Sequence, residues 1–274
     1  MKLRAFIQTY GCQMNEHDSQ RMAEILATEG YDITGDIEEA DLILVNTCSV
    51  RKNPENKVYS FVGSLERLKR RNPRLIIGVA GCVARQQGET LLKRTQLIDL
   101  VFGPDNYFQL PEMLAAVREG RRVAQTEWTV LPGDDGAARG GNFIPDEWVE
   151  RGHVDGVSAY VAIMKGCNNF CSFCIVPYVR GREVSRAPES ILREVADLAE
   201  KGAKEIWLLG QNVNSYRHGD THFPELLAAV SDLPVPRIRF TSPHPKDWTN
   251  DLADLMAARP NVCNHLHLPF QAGS

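Results

Sequence analysis

Short apolar runs alternate with helical patterns over residues 1–120 of the chain. Apolar runs of about four to eight residues are typical of buried strands, and their alternation with helices indicates βαβ units around a parallel sheet. This part of the chain is therefore predicted to form an open parallel sheet. The predicted strands are residues 3–9, 42–46, 75–80 and 98–102, and the predicted helices are residues 18–29, 55–71, 86–94 and 111–119.

The alternation stops at residues 121–156, which are rich in Gly, Pro and Asp and are predicted to be a linker. It resumes over residues 157–274, with predicted strands at 159–164, 205–209, 237–241 and 265–268 and predicted helices at 190–200, 224–231 and 248–258. The fold class is thus α/β, a Rossmann-like open sheet followed by a partial (β/α) barrel. Because no helix follows the last predicted strand, either the chain is a fragment or a partner covers the open edge.

Composition narrows the class of protein. With 43% hydrophobic and 24% charged residues, the chain is typical of a globular protein. It contains neither a run of about 18–20 apolar residues nor a signal peptide, so we expect a cytoplasmic protein that is not in the membrane. A net charge of −4 is unlike the basic footprint of a self-sufficient RNA binder, so any RNA contact must be local or supplied from elsewhere.

Seven cysteines without a secretory signal favour metal or catalytic roles over disulfides. Cys167, Cys171 and Cys174 lie in the loop GCNNFCSFC, directly after a predicted strand. Three thiolates can bind three irons of a [4Fe-4S] cube and leave the fourth iron open to chelate S-adenosylmethionine. A zinc site would normally have four ligands in two close pairs, and a thioredoxin-like pair would not include the third cysteine; both remain minor alternatives, as do inert buried cysteines.

A second trio of cysteines follows the first three predicted strands, with one cysteine after each strand. Cys12, Cys48 and Cys82 each lie just past the carboxyl end of a predicted parallel strand, and they are spaced by about one βαβ unit. Since such ends converge at one edge of the sheet, we expect the three thiols to meet and hold a second cluster with its own open iron, the two open irons facing a shared cavity. The alternative is three buried strand-end residues, and Cys263, outside both trios, is expected to pack in this way.

The motifs around these cysteines carry a family resemblance over both predicted domains. The chain resembles the methylthiotransferase branch of the radical S-adenosylmethionine enzymes, and the combination of motifs is highly specific. The matching stretches are YGCQMNEHDS at 10–19, NTCSVR at 46–51, GC at 81–82, GCNNFCSFCIVPYVRGRE at 166–183, LLGQNVNSY at 208–216 and HLHLPFQAGS at 265–274.

The resemblance implies a division of labour between the trios. Cys167, Cys171 and Cys174 are expected to hold the [4Fe-4S] cluster that cleaves S-adenosylmethionine to a 5′-deoxyadenosyl radical. The trio at residues 12, 48 and 82 is expected to hold an auxiliary [4Fe-4S] cluster whose open iron carries the sulfur. The runs at 13–17 and 49–51 favour the branch members that methylthiolate C2 of N6-isopentenyladenosine 37 in tRNA.

The resemblance also implies partners and domains. We expect tRNA as substrate, an electron donor such as flavodoxin or ferredoxin, and a monomer. The expected domains are a methylthiotransferase domain at 1–120, a linker at 121–156 and a radical S-adenosylmethionine domain at 157–274. Relative to the six-stranded partial barrel of the family, we expect that last domain to be truncated, and we expect the RNA-binding TRAM domain to be absent.

Three alternatives remain open from the sequence. Sister enzymes of the same branch modify a ribosomal protein or threonylcarbamoyladenosine in tRNA. A two-cluster electron carrier or scaffold would bind iron without catalysis. A zinc-dependent RNA-binding module would contain no iron.

Further positions have both a functional and a structural interpretation. Gly210, Gln211 and Asn212 follow a predicted strand where the family contacts S-adenosylmethionine, although a plain turn also uses Gly and Asn. The basic run at the end of a predicted helix is better explained by the helix dipole than by RNA binding. It comprises Arg67, Lys69, Arg70, Arg71 and Arg74.

Arg180 and Arg182 are candidates to meet a tRNA phosphate or a cofactor carboxylate, or they form a solvated loop pair. His265 and His267 alternate on a predicted strand and would therefore face the same side of it. They are either functional residues that face the barrel interior or core histidines, and the same two interpretations apply to His244.

Overall fold

The computed structural model describes residues 2–49, 53–128 and 143–269. Val50 and Arg51 of the second motif, residues 129–142 of the predicted linker and residues 270–274 of the last motif lie outside the described residues. The chain divides into two compact units. The first comprises residues 1–129 and 171–180, and the second comprises residues 130–170 and 181–274.

The first unit contains a six-stranded, fully parallel sheet in the order β2-β1-β3-β4-β5-β6. The four predicted strands are all present, and two edge strands of three residues each join them. The strands are β1 Leu3–Tyr10, β2 Tyr31–Ile33, β3 Leu42–Thr47, β4 Ile76–Gly81, β5 Leu100–Phe102 and β6 Val123–Gln125. Every residue of β3 and β4 is buried, as expected for central strands of a parallel sheet.

The helices of this unit begin and end differently from the sequence prediction. The predicted helix at 55–71 is broken at Leu65, and the one at 86–94 begins earlier, at Cys82, and is broken at Gly88, which has φ +50°. The helices are α1 Gln13–Thr28, α2 Asn53–Ser64, α3 Glu66–Arg71, α4 Cys82–Gln87, α5 Glu89–Arg94 and α6 Leu110–Arg118. Helices α1 and α4 thus start directly at two of the cysteines.

The strand order reverses between β1 and β3, because β2 lies on one side of β1 and β3 lies on the other. Open α/β sheets bind ligands at such a reversal, beyond the carboxyl ends of the strands. Here the ends are in register: Tyr10 pairs with Thr47, and Thr47 pairs with Gly81. The residues that follow β1, β3 and β4 therefore emerge side by side.

The second unit contains a three-stranded parallel sheet in the order β13-β10-β7 and two short antiparallel pairs, β8-β9 and β11-β12. Its strands are β7 Ser158–Ala162, β8 Met164–Lys165, β9 Val184–Ser185, β10 Glu205–Leu209, β11 Arg217–His218, β12 Thr221–His222 and β13 Arg237–Phe240. The later helices of the chain are α7 Asp146–Val149, α8 Val176–Val179, α9 Pro188–Glu200, α10 Phe223–Ser231 and α11 Asn250–Ala258. Helix α8 is grouped with the first unit.

The prediction of a fourth strand in this unit, at 265–268, was wrong. Those residues are irregular. A few positions earlier, Val262 makes a single parallel bridge to Ile238 of β13. Alternation of His and Leu satisfies the strand pattern, but a single bridge does not supply the ladder of backbone hydrogen bonds that a strand needs.

A buried ion pair fixes α9 to the end of β7. The Arg186 guanidinium lies 2.5 Å from the Glu194 carboxylate, both side chains are fully buried, and Arg186 also donates to the Ala162 carbonyl and the Ser190 hydroxyl. The core around it contains the fully buried residues Val161, Val195, Ile206, Leu208 and Ile238. Strand-helix repeats on a parallel sheet confirm the predicted α/β class with a partial barrel. No helix within the described ranges is long and apolar enough to cross a membrane.

Replacing Gly81 by alanine is expected to destabilise the first unit by roughly 1–3 kcal/mol. Gly81 has φ +89° and ψ −153°, a backbone region that is nearly exclusive to glycine, and an added Cβ would collide with the Thr47 carbonyl. Gly63→Ala is the matched control, because Gly63 lies exposed in α2 with open space around it and alanine favours helix by up to about 1 kcal/mol. Urea unfolding measures both free energies, and equal values for the two variants would contradict the assigned geometry.

Candidate functional site

The first cysteine trio lies together at the carboxyl edge of the six-stranded sheet. Cys12 is the N-cap of α1, Cys48 directly follows β3, and Cys82 is the first residue of α4. The Cys48 thiol is within hydrogen-bonding reach of both Cys12 and Cys82. Cys12 is exposed, whereas Cys48 and Cys82 are buried. The predicted convergence of these three residues is therefore seen in the structure.

This environment favours the thiolate form of two of the cysteines. A hydrogen bond with Cys48 lowers the pKa of Cys12 to about 6, and the positive charge of Arg180 also lowers it. The same Cys48 interaction and Arg180 lower the pKa of Cys82 to about 7. Both cysteines also sit at helix N-termini, where the backbone dipole stabilises negative charge. Thiolates are the form that binds iron.

A buried amide network, which the sequence did not reveal, holds the strand ends in place. The Asn15 side chain donates to the Asn46 side-chain oxygen at 3.1 Å and to the Thr47 carbonyl at 3.2 Å. The Asn46 side chain in turn donates to the Asn15 carbonyl and to the Ser19 hydroxyl. Asn15 and Asn46 are fully buried. Because buried amides are costly unless paired, this network fixes α1 against β3.

The glycines that precede Cys12 and Cys82 allow the close approach of these chain segments. A Cβ at Gly11 would overlap the Asn15 side chain, and a Cβ at Gly81 would overlap the Thr47 carbonyl. The sequence prediction that glycine lets the backbone turn closely before these cysteines is thus confirmed by geometry.

Arg180 and Asp18 form a buried ion pair beside the same cysteines. Arg180 donates to the Asp18 carboxylate at 2.7 Å, although the two residues are 162 positions apart. Burial alone would raise the pKa of Asp18, but Arg180 and His17 outweigh it and lower that pKa. One of the two expectations for Arg180, a solvated loop pair with Arg182, is therefore wrong. Arg182 is exposed and lies over the Phe170 ring.

The second cysteine trio lies in a loop that crosses the boundary between the two units, with Cys167 in the second unit and Cys171 and Cys174 in the first. Cys167 is buried, and its N–H donates to the Gly181 carbonyl at 3.1 Å. The Cys171 carbonyl accepts from the Cys174 N–H at 2.9 Å, which closes a tight turn around the CxxC segment.

Within the second unit, the start of this loop is pinned by three side chains. Asn168 and Glu183 exchange side-chain and backbone hydrogen bonds of 3.1 to 3.5 Å. Gln211 accepts from the Gly166 N–H, and Gly166 has φ +76° with no room for a Cβ. Phe170 has φ +46°, a strained conformation for an aromatic residue. Loops that hold such strain are typical of functional sites.

The polar residues after β10 leave unsatisfied atoms. The Asn212 side-chain NH₂ donates to Asp247 at 2.7 Å, but its oxygen, the Gln211 side-chain nitrogen and the Asn169 side-chain nitrogen are buried without a hydrogen-bond partner among the described residues. Lys246 donates to Asn169 at 3.2 Å. Buried orphan groups are rare in folded proteins and indicate a polar ligand or ordered water.

The remaining candidates have structural roles or are exposed. The His244 ring accepts from the Lys246 N–H and caps a short 3-10 turn, and His265 and His267 are exposed, so neither is a core histidine. Cys263 is half-buried beside β13. In the basic run, Lys69, Arg70 and Arg71 lie in the last turn of α3, where the helix dipole favours cations. Four residues of the run also make ion pairs within the first unit: Arg67 and Arg71 pair with Glu38, Lys69 with Asp99 and Arg70 with Glu66.

The donor set of the first trio suits an iron-sulfur cube. Among the residues that the structure describes, no three His, Cys, Asp or Glu side chains are arranged to hold one metal ion. A cube presents a separate iron to each thiolate, so its ligands need not converge on one point. Three cysteine side chains, two with lowered pKa values, fit such a cluster.

Comparison with known proteins gives two family matches. Residues 4–103 match the family described as Uncharacterized protein family UPF0004, and residues 161–274 match the Radical SAM superfamily. The solved structure of the radical S-adenosylmethionine methyltransferase TsrM from Kitasatospora setae, with cobalamin and a [4Fe-4S] cluster bound, aligns with a TM-score of 0.58 over 96% of this chain and 58% of that one. At 18% identity, that likeness concerns the fold alone.

Curated relatives named tRNA-2-methylthio-N(6)-dimethylallyladenosine synthase match nearly the whole chain. The protein of Syntrophobacter fumaroxidans is 51% identical over 98% of this chain and 58% of its own length. Those of Geotalea uraniireducens and Porphyromonas gingivalis are 47% and 46% identical over 98% and 99% of this chain and 60% and 58% of their own lengths. The chain thus spans about three fifths of these relatives. It belongs to the radical SAM superfamily and, within it, to the family that these synthases form.

Proposed function

We propose that this chain carries the catalytic region of a tRNA methylthiotransferase, which replaces the C2 hydrogen of N6-isopentenyladenosine (N6-dimethylallyladenosine) 37 with a methylthio group. One observation carries the proposal: three cysteine thiols meet at the strand-order reversal of a sheet whose chain also contains the CxxxCxxC loop. The names of the relatives supply the substrate.

The two cysteine trios have different tasks in this proposal. Cys12, Cys48 and Cys82, in the domain at 1–120, hold an auxiliary [4Fe-4S] cluster, and the trio at 167, 171 and 174 holds a second one in the domain at 157–274. When bound, these groups supply the electron that cleaves S-adenosylmethionine and the sulfur that is transferred. The chain itself supplies three thiolates per cube, so that one iron of each has no cysteine ligand.

Polar residues after β10 are assigned to S-adenosylmethionine. The orphan oxygen of Asn212 and the orphan nitrogen of Gln211 are buried, and Gln211 is already bonded to Gly166 beside the cluster loop. A zwitterionic ligand offers both donors and acceptors to such atoms. A Cβ at Gly210 would overlap Met164, so glycine is needed for close packing at the end of β10.

The reaction requires this arrangement because an aromatic C–H bond offers no acidic proton to an ordinary base. A cofactor must therefore do the hard chemistry, and the protein must bind it, orient it and exclude water. The proposal further includes tRNA as partner, an electron donor such as flavodoxin or ferredoxin, a monomeric protein and a cytoplasmic location. With a net charge of −4, the chain relies on local cations for RNA contact.

Iron content tests the cluster assignment. After anaerobic reconstitution, the chain is expected to hold about eight irons, because each cube has four. Triple alanine variants of either trio are expected to hold about four. Cys263→Ala is the matched control, since it removes a thiol outside both trios, and should keep about eight. A colourless protein that binds zinc, or variants that keep all their iron, would count against the proposal.

Product analysis tests the reaction. With reductant and S-adenosylmethionine, the reconstituted chain is expected to release 5′-deoxyadenosine, and alanine at 167, 171 and 174 should abolish this release because these residues hold the cluster that delivers the electron. An electron carrier or scaffold would release none.

Mass spectrometry of tRNA nucleosides from a deletion strain tests the substrate. Loss of 2-methylthio-isopentenyladenosine, restored by the full-length gene, is the expected result. Unchanged levels with loss of another methylthiolated product would instead favour the ribosomal-protein or threonylcarbamoyladenosine enzymes.

A further inference from the structure

Arg180 is a buried cation whose position is fixed from two sides. Its backbone N–H, just past the end of α8, donates to the carbonyl of Val176, the first residue of that helix, and its guanidinium donates to the Asp18 carboxylate of α1 at 2.7 Å. Both side chains are more than nine-tenths buried. An arginine held by a carboxylate in this way has a defined orientation, and its remaining N–H groups point elsewhere.

The Arg180 guanidinium lies beside the first cysteine trio, because α8, which ends just before Arg180, packs against α4, which begins at Cys82. The Arg180 guanidinium is within hydrogen-bonding reach of the Cys82 thiol and is close enough to Cys12 to stabilise its negative charge. Arginine stays charged under all ordinary conditions, so Arg180 brings a fixed positive charge to this edge of the sheet.

A second cation near Cys82 is engaged differently. Arg85 lies on α4 one turn after Cys82, but its guanidinium pairs with Asp105 at 3.0 Å and stacks over the Trp128 ring at 3.9 Å. Arg180, in contrast, reaches thiols of both α1 and α4. It is thus the better placed of the two to act on the trio as a set.

We propose that Arg180 is a positioning residue of the auxiliary cluster: oriented by Asp18, it donates to the Cys82 thiolate, balances the negative charge of the trio and raises the reduction potential of the cluster. The inference rests on the proposed function, since it requires that cluster. Hydrogen bonds and positive charge at cluster sulfurs stabilise the reduced form, which carries one more electron.

The potential of the auxiliary cluster tests this role. In a background with alanine at 167, 171 and 174, only the auxiliary cluster remains, and its one-electron midpoint potential is measured by redox titration followed by electron paramagnetic resonance. Arg180→Met should shift the reduction equilibrium at least tenfold toward the oxidised form, which is about 59 mV more negative for one electron. Arg180→Lys, which keeps the charge but loses the planar fork, should lie between.

Two further variants separate tuning from loss of fold. The double variant D18N/R180M removes both charges, so no carboxylate is left buried without its partner. It should hold about four irons and show a lowered potential, by less than Arg180→Met because the Asp18 carboxylate acts on Cys82 with the opposite sign. Arg182→Met is the matched control, because Arg182 is exposed and lies over Phe170, and it should leave the potential unchanged.

The outcomes are distinguishable. Unchanged potentials in Arg180→Met and in the double variant, with about four irons in each, would overturn the role of Arg180. If Arg180→Met loses iron, the lysine variant decides, since a normal potential there would also overturn the role. A background protein that binds no cluster while Arg180 is intact would instead overturn the proposed function itself.

Discussion

The in-register reversal of strand order at β1, β3 and β4 is the constraint on which the candidate site depends. Tyr10, Thr47 and Gly81 are paired neighbours at the ends of their strands. The residues that follow them therefore leave the sheet side by side. A cysteine follows each of these strand ends, so three thiols lie at one edge of the sheet. Bringing them together does not require the entropic cost of ordering a long loop. A slip of one residue in register would turn every side chain of a strand to its other face and disperse the thiols.

Thiolates that lie close together repel one another, and fixed positive groups in the structure offset this repulsion. The N-termini of α1 and α4 and the guanidinium of Arg180 all act on the thiols. The Asn15–Asn46 network keeps these groups in place, because its members are buried and mutually satisfied. The second unit uses a comparable device, in which Glu183 and Gln211 pin the backbone at the start of the other cysteine loop.

Much of this arrangement could be predicted from the sequence, because its signals are local. The apolar runs predicted the long strands, and the position of a cysteine after each of three strands predicted that residues 12, 48 and 82 lie together. The edge strands β2 and β6 were missed, since three residues carry no periodic signal. Conversely, the pattern at 265–268 looked like a strand but lacked a pairing partner.

Arg180 shows the limit most clearly, because its burial depends on Asp18, 162 residues away, and no local pattern reports such a pair. The sequence of its loop suggested either contact with a tRNA phosphate or cofactor carboxylate, or solvent exposure, and neither is the buried ion pair that the structure has.

The central claim is that Cys12, Cys48 and Cys82 together bind one iron cluster at the carboxyl edge of the sheet. Crystals of the anaerobically reconstituted chain, with anomalous diffraction recorded at the iron absorption edge, would locate every iron directly. A compact iron peak within bonding distance of all three sulfurs is the predicted result. Absence of iron there, or a peak that touches only one of the three, would contradict the account.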